Sequence, residues 1–379
     1  MDIITEGKAK FYASIAENGK ISKELDVFYN PVMKFNRDVS VLLLNSMNEL
    51  YDFKEIQIAD IMAGSGVRAL RFLKELNKGI IKNMTVNDYD ENFSELFKKN
   101  LELNDMAMDD SLIIGNKDAN ILLLESLGFD YIDIDPFGSP NPFLESSIVR
   151  ISRNGILAVT ATDTAPLSGT YPDACKRKYW AIPLRNYLMH EVGLRILIRK
   201  VQLIGSQHDK ALVPIYSYFK DHYFRIFFKC TKGKNIVDEI LAQHKYLLFC
   251  EKCFSHVISE TNTGHCMKCD LKMIYSGPMW IGKIFDEKLA AKIFEMNNDK
   301  RNNKFLETIR DESLIDFTCF YDIHAIAKKF KLEISRFDKL IDSIKKDGYV
   351  VSRTHFTPLG IKTNMPLDEI KLLMEKSGS

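Results

Sequence analysis

The sequence predicts an α/β protein: a doubly wound, mostly parallel sheet, then a smaller α+β region with a four-cysteine metal site and a winged-helix-like end. Three observations carry this. Short apolar strands alternate with helix-period segments from residue 56 to residue 229, the pattern of βαβ units. Several of those strands end in an acidic residue or a glycine turn, at the edge where open α/β sheets bind ligands. Beyond residue 235 two C-x-x-C pairs appear, and helix, turn, helix and two short strands close the chain. The expected domains are therefore 1–235 and 236–379.

Taken in order, the leading segment 1–35 contains Asn18-Gly19, a hairpin signal, and Val27-Phe28-Tyr29-Asn30-Pro31, an aromatic pair braced by a proline. Val39, Leu42, Leu43, Met47 and Leu50 lie at helical spacing over 37–51. A strand over 56–60, a glycine turn and a helix over 67–76 follow. A second strand, 84–87, ends at Asp88 and leads into a helix that runs to 103. A third, 112–115, runs into Asn116-Lys117-Asp118-Ala119 and another helix, and a fourth ends at Asp135. A fifth strand spans 155–160, a long helix 184–201, and two more strands 212–218 and 224–229. The final helices are expected over 322–330 and 335–347, with a hairpin through Val350-Val351 and His355-Phe356. This is the winged-helix order, which often sits on nucleic acid.

Composition narrows the function. Hydrophobic residues at 46% and charged residues at 27% are ordinary for a globular protein. The apolar runs 39–44 and 121–124 are too short to span a bilayer. The first residues carry no basic-then-apolar leader, so a cytoplasmic protein is expected. A net charge of +1 excludes coating nucleic acid by bulk charge, though not a local basic face. Four of the seven cysteines form two C-x-x-C pairs, which in a reducing compartment read as metal ligands before disulfides.

The chemistry centres on Asp133-Ile134-Asp135-Pro136-Phe137-Gly138. A strand there delivers a carboxylate, a stiff proline and a ring that can stack on a flat substrate. That suits chemistry on the exocyclic amine of a nucleobase, although an ordinary strand-end turn would use the same Asp-Pro pair. At Gly64-Ser65-Gly66 the missing Cβ atoms let backbone approach a ligand closely. The dinucleotide fingerprint is incomplete, because Arg68 and Ala69 stand where its last glycine belongs. Asp60-x-x-Ala63-Gly64-x-Gly66 instead looks like motif I of class I S-adenosylmethionine-dependent methyltransferases, which makes the expected sheet a class I methyltransferase sheet. Asp88 at the second strand end can accept ribose hydroxyls. Asp118 can accept from an adenine amino group, with the Ala119 N–H reaching a ring nitrogen.

With these in place, the chain resembles the tRNA guanine-26 N2-dimethyltransferase family over nearly its whole length. The matching segments include 5–10, 27–38, 60–68, 133–140, 160–165, Tyr171-Pro172-Asp173-Ala174-Cys175, both cysteine pairs and Arg353-Thr354-His355-Phe356. The resemblance implies transfer of one or two methyl groups from S-adenosylmethionine to guanine N2 in tRNA. It implies that Asp135 is the proton acceptor, and that Phe28 and Phe137, beside Pro136, hold the flipped base. It implies cofactor binding by Arg37, Arg68, Asp88, Asp118 and Ala119, with Gly64 and Gly66 from motif I. The other readings are an adenine N6-methyltransferase on DNA or RNA, and a non-catalytic nucleic-acid-binding protein.

Cys250, Cys253, Cys266 and Cys269, with 12 residues between the pairs, fit a four-thiolate structural zinc site, with His265 as the one alternative ligand. Lys176-Arg177-Lys178, Arg195, Arg199 and Lys200, and the lysines of the last domain, are candidate contacts to the tRNA backbone. A monomer is expected.

Overall fold

The computed structural model describes residues 2–13, 29–333 and 336–377. It begins with a hairpin of β1 (Asp2–Glu6) and β2 (Ala9–Ala13), turning at Gly7-Lys8. The hairpin expected at Asn18-Gly19 lies outside the described residues. Helix α1 (Lys34–Tyr51) then leads to the sheet strands β3 (Ile56–Asp60), β4 (Ile81–Asn87), β5 (Leu112–Gly115), β6 (Phe129–Ile134) and β7 (Ile151–Ala161). Between them run α2 (Val67–Glu75), α3 (Phe93–Glu102), α4 (Ala119–Glu125) and α5 (Asn141–Arg150). Two short helices, α6 (Thr164–Leu167) and α7 (Pro172–Tyr179), and the long α8 (Met189–Ser206) precede β8 (Lys210–Lys220) and β9 (Tyr223–Lys232).

The seven strands lie in the order β5-β4-β3-β6-β7-β9-β8. Strands β3 to β7 pair in parallel, and β9 runs antiparallel to both β7 and β8. The direction of winding reverses between β3 and β6, and a crevice opens at such a reversal beyond the carboxyl ends of the strands. Register places Asp60 directly beside Asp133 there. Long-range pairing of this kind is invisible to local periodicity, which explains why the strands are legible in sequence and their order is not.

One helix starts later than its periodicity predicts. The apolar Leu184 and Leu188 are buried, but helix α8 begins at Met189. Asn186 intervenes, its side chain accepting from Leu188 N–H (2.8 Å) and its carbonyl from Met189 N–H (3.1 Å). An Asx turn of this kind competes with the helix for the same donors.

After α9 (Lys234–Leu241) the chain builds an antiparallel sheet, β11-β10-β12, from β10 (His244–Phe249), β11 (His256–Ser259) and β12 (Ile274–Trp280). Helices α10 (Glu287–Met296) and α11 (Lys300–Ser313) follow, α10 packing on α1. Trp280, Leu289, Ile293 and Leu306 share one continuous core with Ile132 and Val192, so buried apolar contact runs on past residue 235. The last segment has a core of its own, which includes Ile326, Leu340, Ile344, Ile361 and Ile370. It comprises β13 (Tyr321–Asp322), α12 (Ile323–Phe330), α13 (Phe337–Lys346), β14 (Val351–Thr354), β15 (Thr357–Thr363) and α14 (Leu367–Ser377), with sheet order β13-β15-β14. The winged-helix reading holds. Among the described residues no helix is long and apolar enough to cross a membrane.

Candidate active site

A cavity of about 1070 Å³ opens at the carboxyl ends of β3, β4 and β6, and its wall includes Asp60, Gly64, Asp88, Asp135 and Phe137. Gly64 adopts φ +56°, a left-handed conformation that glycine takes without strain, and its N–H donates to Asp88 Oδ2 at 2.7 Å. The other Asp88 oxygen accepts from Asp90 N–H at 3.1 Å, so the carboxylate is fixed at the cavity wall. Gly66, at φ +74°, serves packing: a Cβ there would run into the Phe97 ring. Asp60 is 3% exposed, and its Oδ2 has no hydrogen-bond partner among the described residues. Burial pushes its carboxyl up to about 7, and the nearby charges of Asp133, Asp135 and Asp88 add to burial against the opposing pull of Arg68.

Strand β6 stops at Ile134, and Asp135 turns into the cavity with its side chain 20% exposed. Pro136 is buried, whereas Phe137 is 48% exposed at the cavity mouth. The turn is pinned to the end of β7. Gly138 N–H donates to Thr162 Oγ1 (2.7 Å), and Thr162 N–H donates back to Gly138 O (3.0 Å). These two bonds join the aspartate motif to Ala161-Thr162-Asp163 across 24 residues of sequence.

Behind Asp135 lies a buried polar cluster. Arg68 Nη2 donates to Asp135 Oδ2 and to Asn36 Oδ1 (3.1 Å). Arg68 Nη1 donates to Ser40 Oγ (3.0 Å) and lies 3.3 Å from Asp133 Oδ2. The fully buried Arg225 grips both oxygens of Asp133, at 2.9 and 2.7 Å. Sequence reasoning missed Arg225; its signal was a lone charge inside the apolar strand Tyr223-Phe224-Arg225-Ile226-Phe227.

A second ion cluster closes the cavity from the side of the first hairpin. Arg37 donates to Glu6 through Nε (2.7 Å) and Nη2 (2.6 Å), Arg71 Nη1 adds 3.0 Å, and Tyr29 OH adds 2.9 Å. Burial alone would raise the Glu6 carboxyl, but Arg37 and Arg71 outweigh it and hold it at about 2. Arg37, Tyr29 and Asn30 all face the cavity, while Phe28 lies outside the described residues.

With this geometry in hand, comparison with known proteins is decisive. The family model described as N2,N2-dimethylguanosine tRNA methyltransferase matches residues 7–375. The chain belongs to that family. It is 38% identical to the tRNA (guanine(26)-N(2)/guanine(27)-N(2))-dimethyltransferase of Aquifex aeolicus, covering 99% of this chain and 96% of that protein. It is 37% identical to the tRNA (guanine(26)-N(2))-dimethyltransferase of Methanobrevibacter smithii, over 99% and 97% of the two chains. The structure is similar to that of Trm1 from Pyrococcus horikoshii in complex with S-adenosyl-L-methionine, with TM-score 0.86 and 35% identity over 99% of this chain and all of that one (100%).

Within this dimethyltransferase-family chain, not every residue matched from the sequence reaches the cavity. Asp118 caps α4, its Oδ1 accepting from Asn120 N–H (2.9 Å) and Ile121 N–H (3.2 Å), and Ala119 is buried in the first turn behind it. Neither is on the cavity wall, nor is Gly66. Of the basic residues, Lys176, Arg177 and Lys178 are exposed on α7, as are Lys328, Lys329, Lys331, Lys345 and Lys346 on the winged-helix end. Arg195 and Lys200 are not surface contacts. Arg195 is 2% exposed and paired with Glu191, and Lys200 is 6% exposed with Nζ over the Trp180 ring.

The four cysteine sulfurs converge, all within 4.8 Å of one another. Both pairs sit in matching turns, with Phe254 N–H donating to Cys250 O and Asp270 N–H to Cys266 O, each at 2.8 Å. The donor set and its closure suit a tetrahedral structural zinc with no open position. His265 is not in the set.

Proposed function

We infer that this protein methylates the N2 amine of guanine 26 in tRNA, once or twice, with S-adenosylmethionine as donor. The observation that carries the reading is a carboxylate on the sequence Asp135-Pro136-Phe137, at the mouth of a strand-end cavity, in a chain of this family. Asp60 Oδ2, orphaned in the wall, and the fixed Asp88 carboxylate suit a cationic ligand that carries hydroxyl groups. When bound, S-adenosylmethionine supplies an electrophilic methyl group on a sulfonium.

The residues of the chain do the rest. Guanine N2 is a poor nucleophile because its lone pair is delocalised into the ring. Asp135 accepts the N2–H and takes the proton as positive charge develops on nitrogen. Phe137, with Phe28, stacks on the base and offsets the few kcal/mol that leaving the RNA stack costs. After a first transfer, the amine turns so that its remaining N–H faces Asp135. Arg37, Gly64 and Asp88 wall the donor site. The exposed lysines of 236–379 support assigning that region the grip on tRNA.

The test is incubation with unmodified tRNA transcript and labelled S-adenosylmethionine, then digestion to nucleosides and mapping of the modified position. N2-methylguanosine and N2,N2-dimethylguanosine at position 26 are expected. Label at position 27 alone would overturn the site assignment, methyladenosine would move the reading to the adenine enzymes, and no label would sink it.

A further inference from the structure

We propose that Arg68 is a positioning residue that aims the Asp135 carboxylate, and that Arg225 holds Arg68 to that task by neutralising Asp133. The inference rests on the methyltransferase reading above. The resemblance places Arg68 among the cofactor-binding residues, and it lines the cavity, while both its terminal nitrogens are engaged on protein groups. One terminal nitrogen serves Asp135 and Asn36, and the other serves Ser40 and faces Asp133. At 4% exposure and with both terminal nitrogens held in this way, the guanidinium is fixed beside Asp135 at the cavity wall.

The charges alternate along Arg225, Asp133, Arg68 and Asp135. Asp133 takes a bidentate grip from Arg225 and a hydrogen bond from Tyr131 OH at 2.6 Å. Paired forks of this kind are the strongest neutralising contacts a carboxylate finds in a protein. Arg225 is itself fixed by Thr160 Oγ1 (2.9 Å) and Ser40 Oγ (3.0 Å), and Ser40 donates its own proton to Asn36 O (2.9 Å). With Asp133 neutralised, the positive charge of Arg68 is left for Asp135. That contact occupies Oδ2, and among the described residues no hydrogen bond is made to Oδ1, which is the oxygen free for the guanine N–H. Remove Arg225, and Asp133 competes with Asp135 for Arg68.

The test is the single-turnover methyl-transfer rate of the full chain on tRNA transcript, with S-adenosylmethionine affinity measured by calorimetry. Arg225→Met should slow the chemical step by roughly thirtyfold or more while donor affinity stays within about threefold. Asp133→Asn/Arg225→Met should recover roughly tenfold of that loss, because the competitor for Arg68 is gone. A merely structural Arg225 predicts a double variant as slow as the single one, and that result overturns the proposal. Should Arg225→Met fail to bind donor, Arg225→Lys is measured instead: a slowed step at unchanged donor affinity supports the proposal, and a wild-type rate refutes it. Arg68→Lys separates the two roles of Arg68. A weakened donor affinity with an unchanged chemical step returns Arg68 to ligand binding and overturns the inference. Failure of the underlying reading would look different, since the unaltered protein would then not methylate tRNA at all.

Discussion

Among the buried ion networks of the described residues, two end differently. The first runs from Arg225 through Asp133 and Arg68 and stops at Asp135, on the wall of a large cavity. The second joins α8 to α11 and to the β14–β15 hairpin. Lys362 Nζ lies 3.3 Å from Glu191 and 3.0 Å from Glu312, and Glu312 also accepts from His355 Nδ1 (2.7 Å) and Thr354 Oγ1 (3.0 Å). Beside it is a pocket of only about 20 Å³, room for no more than about one water. Burial alone would raise the Glu312 carboxyl, yet His355 and Lys362 hold it well below the usual range. With no ligand-sized cavity beside it, the second network fixes the junction between two regions, although Glu191 Oε2 and His355 Nε2 have no partner among the described residues. One that ends on a partly exposed carboxylate beside an orphaned Asp60 oxygen has capacity left for a ligand.

If that contrast is right, truncation at the open end destroys activity and leaves the fold. Asp135→Ala should reduce methyl transfer by about 10³-fold, within the range for loss of a general base, with the melting temperature little changed. Near-normal turnover would refute the assignment. At the closed end the outcome reverses. Lys362→Met removes the buried cation that Glu191 and Glu312 share, leaving only Arg195 and His355 beside them, and should cost about 3–5 kcal/mol in a denaturant titration. Donor affinity in whatever fraction stays folded should hold, and a specific loss of donor binding would break the comparison.

Two smaller effects depend on pH. Glu6, held at about 2 against an ordinary value of 4.5, contributes stability that is present above the ordinary value. That contribution disappears as pH falls towards 2, at about 3 kcal/mol in full. Denaturation midpoints measured from pH 6 down should therefore fall less steeply in Glu6→Gln. Asp60 behaves in the opposite sense. Its carboxyl, raised to about 7, gains charge as pH rises through that value, so affinity for a cationic donor should rise there. Asp60→Asn should flatten this dependence, a change of roughly tenfold in affinity. An unaltered pH profile in calorimetry would remove Asp60 from the donor site.

Much of the site could be read from local signals. Asp135, Asp88 and Gly64 stand at or just beyond strand ends because a period-two apolar run followed by a turn says where a strand stops, and the cysteine spacing gives the candidate metal site directly. Other residues were legible in type and not in task. Gly66 looks like a ligand-cradling glycine, but Phe97, 31 residues on, makes it a packing glycine. Asp118 has a capping task as well, its Oδ1 holding the first turn of α4.

By itself, then, the sequence determined the strands of the main sheet, which carboxylates lie at their ends, and which four cysteines gather as donors that could hold a metal. Those properties depend on neighbours a few residues apart. Only the tertiary structure decided the strand order, the pairing of Asp60 with Asp133 across the switch point, and the two arginines behind Asp135. Arg225 meets Asp133 across 92 residues, and Arg68 meets Asp135 across 67. The interaction of two charges depends on their separation in space and on the medium between them. Neither quantity is written in the spacing of residues along a chain.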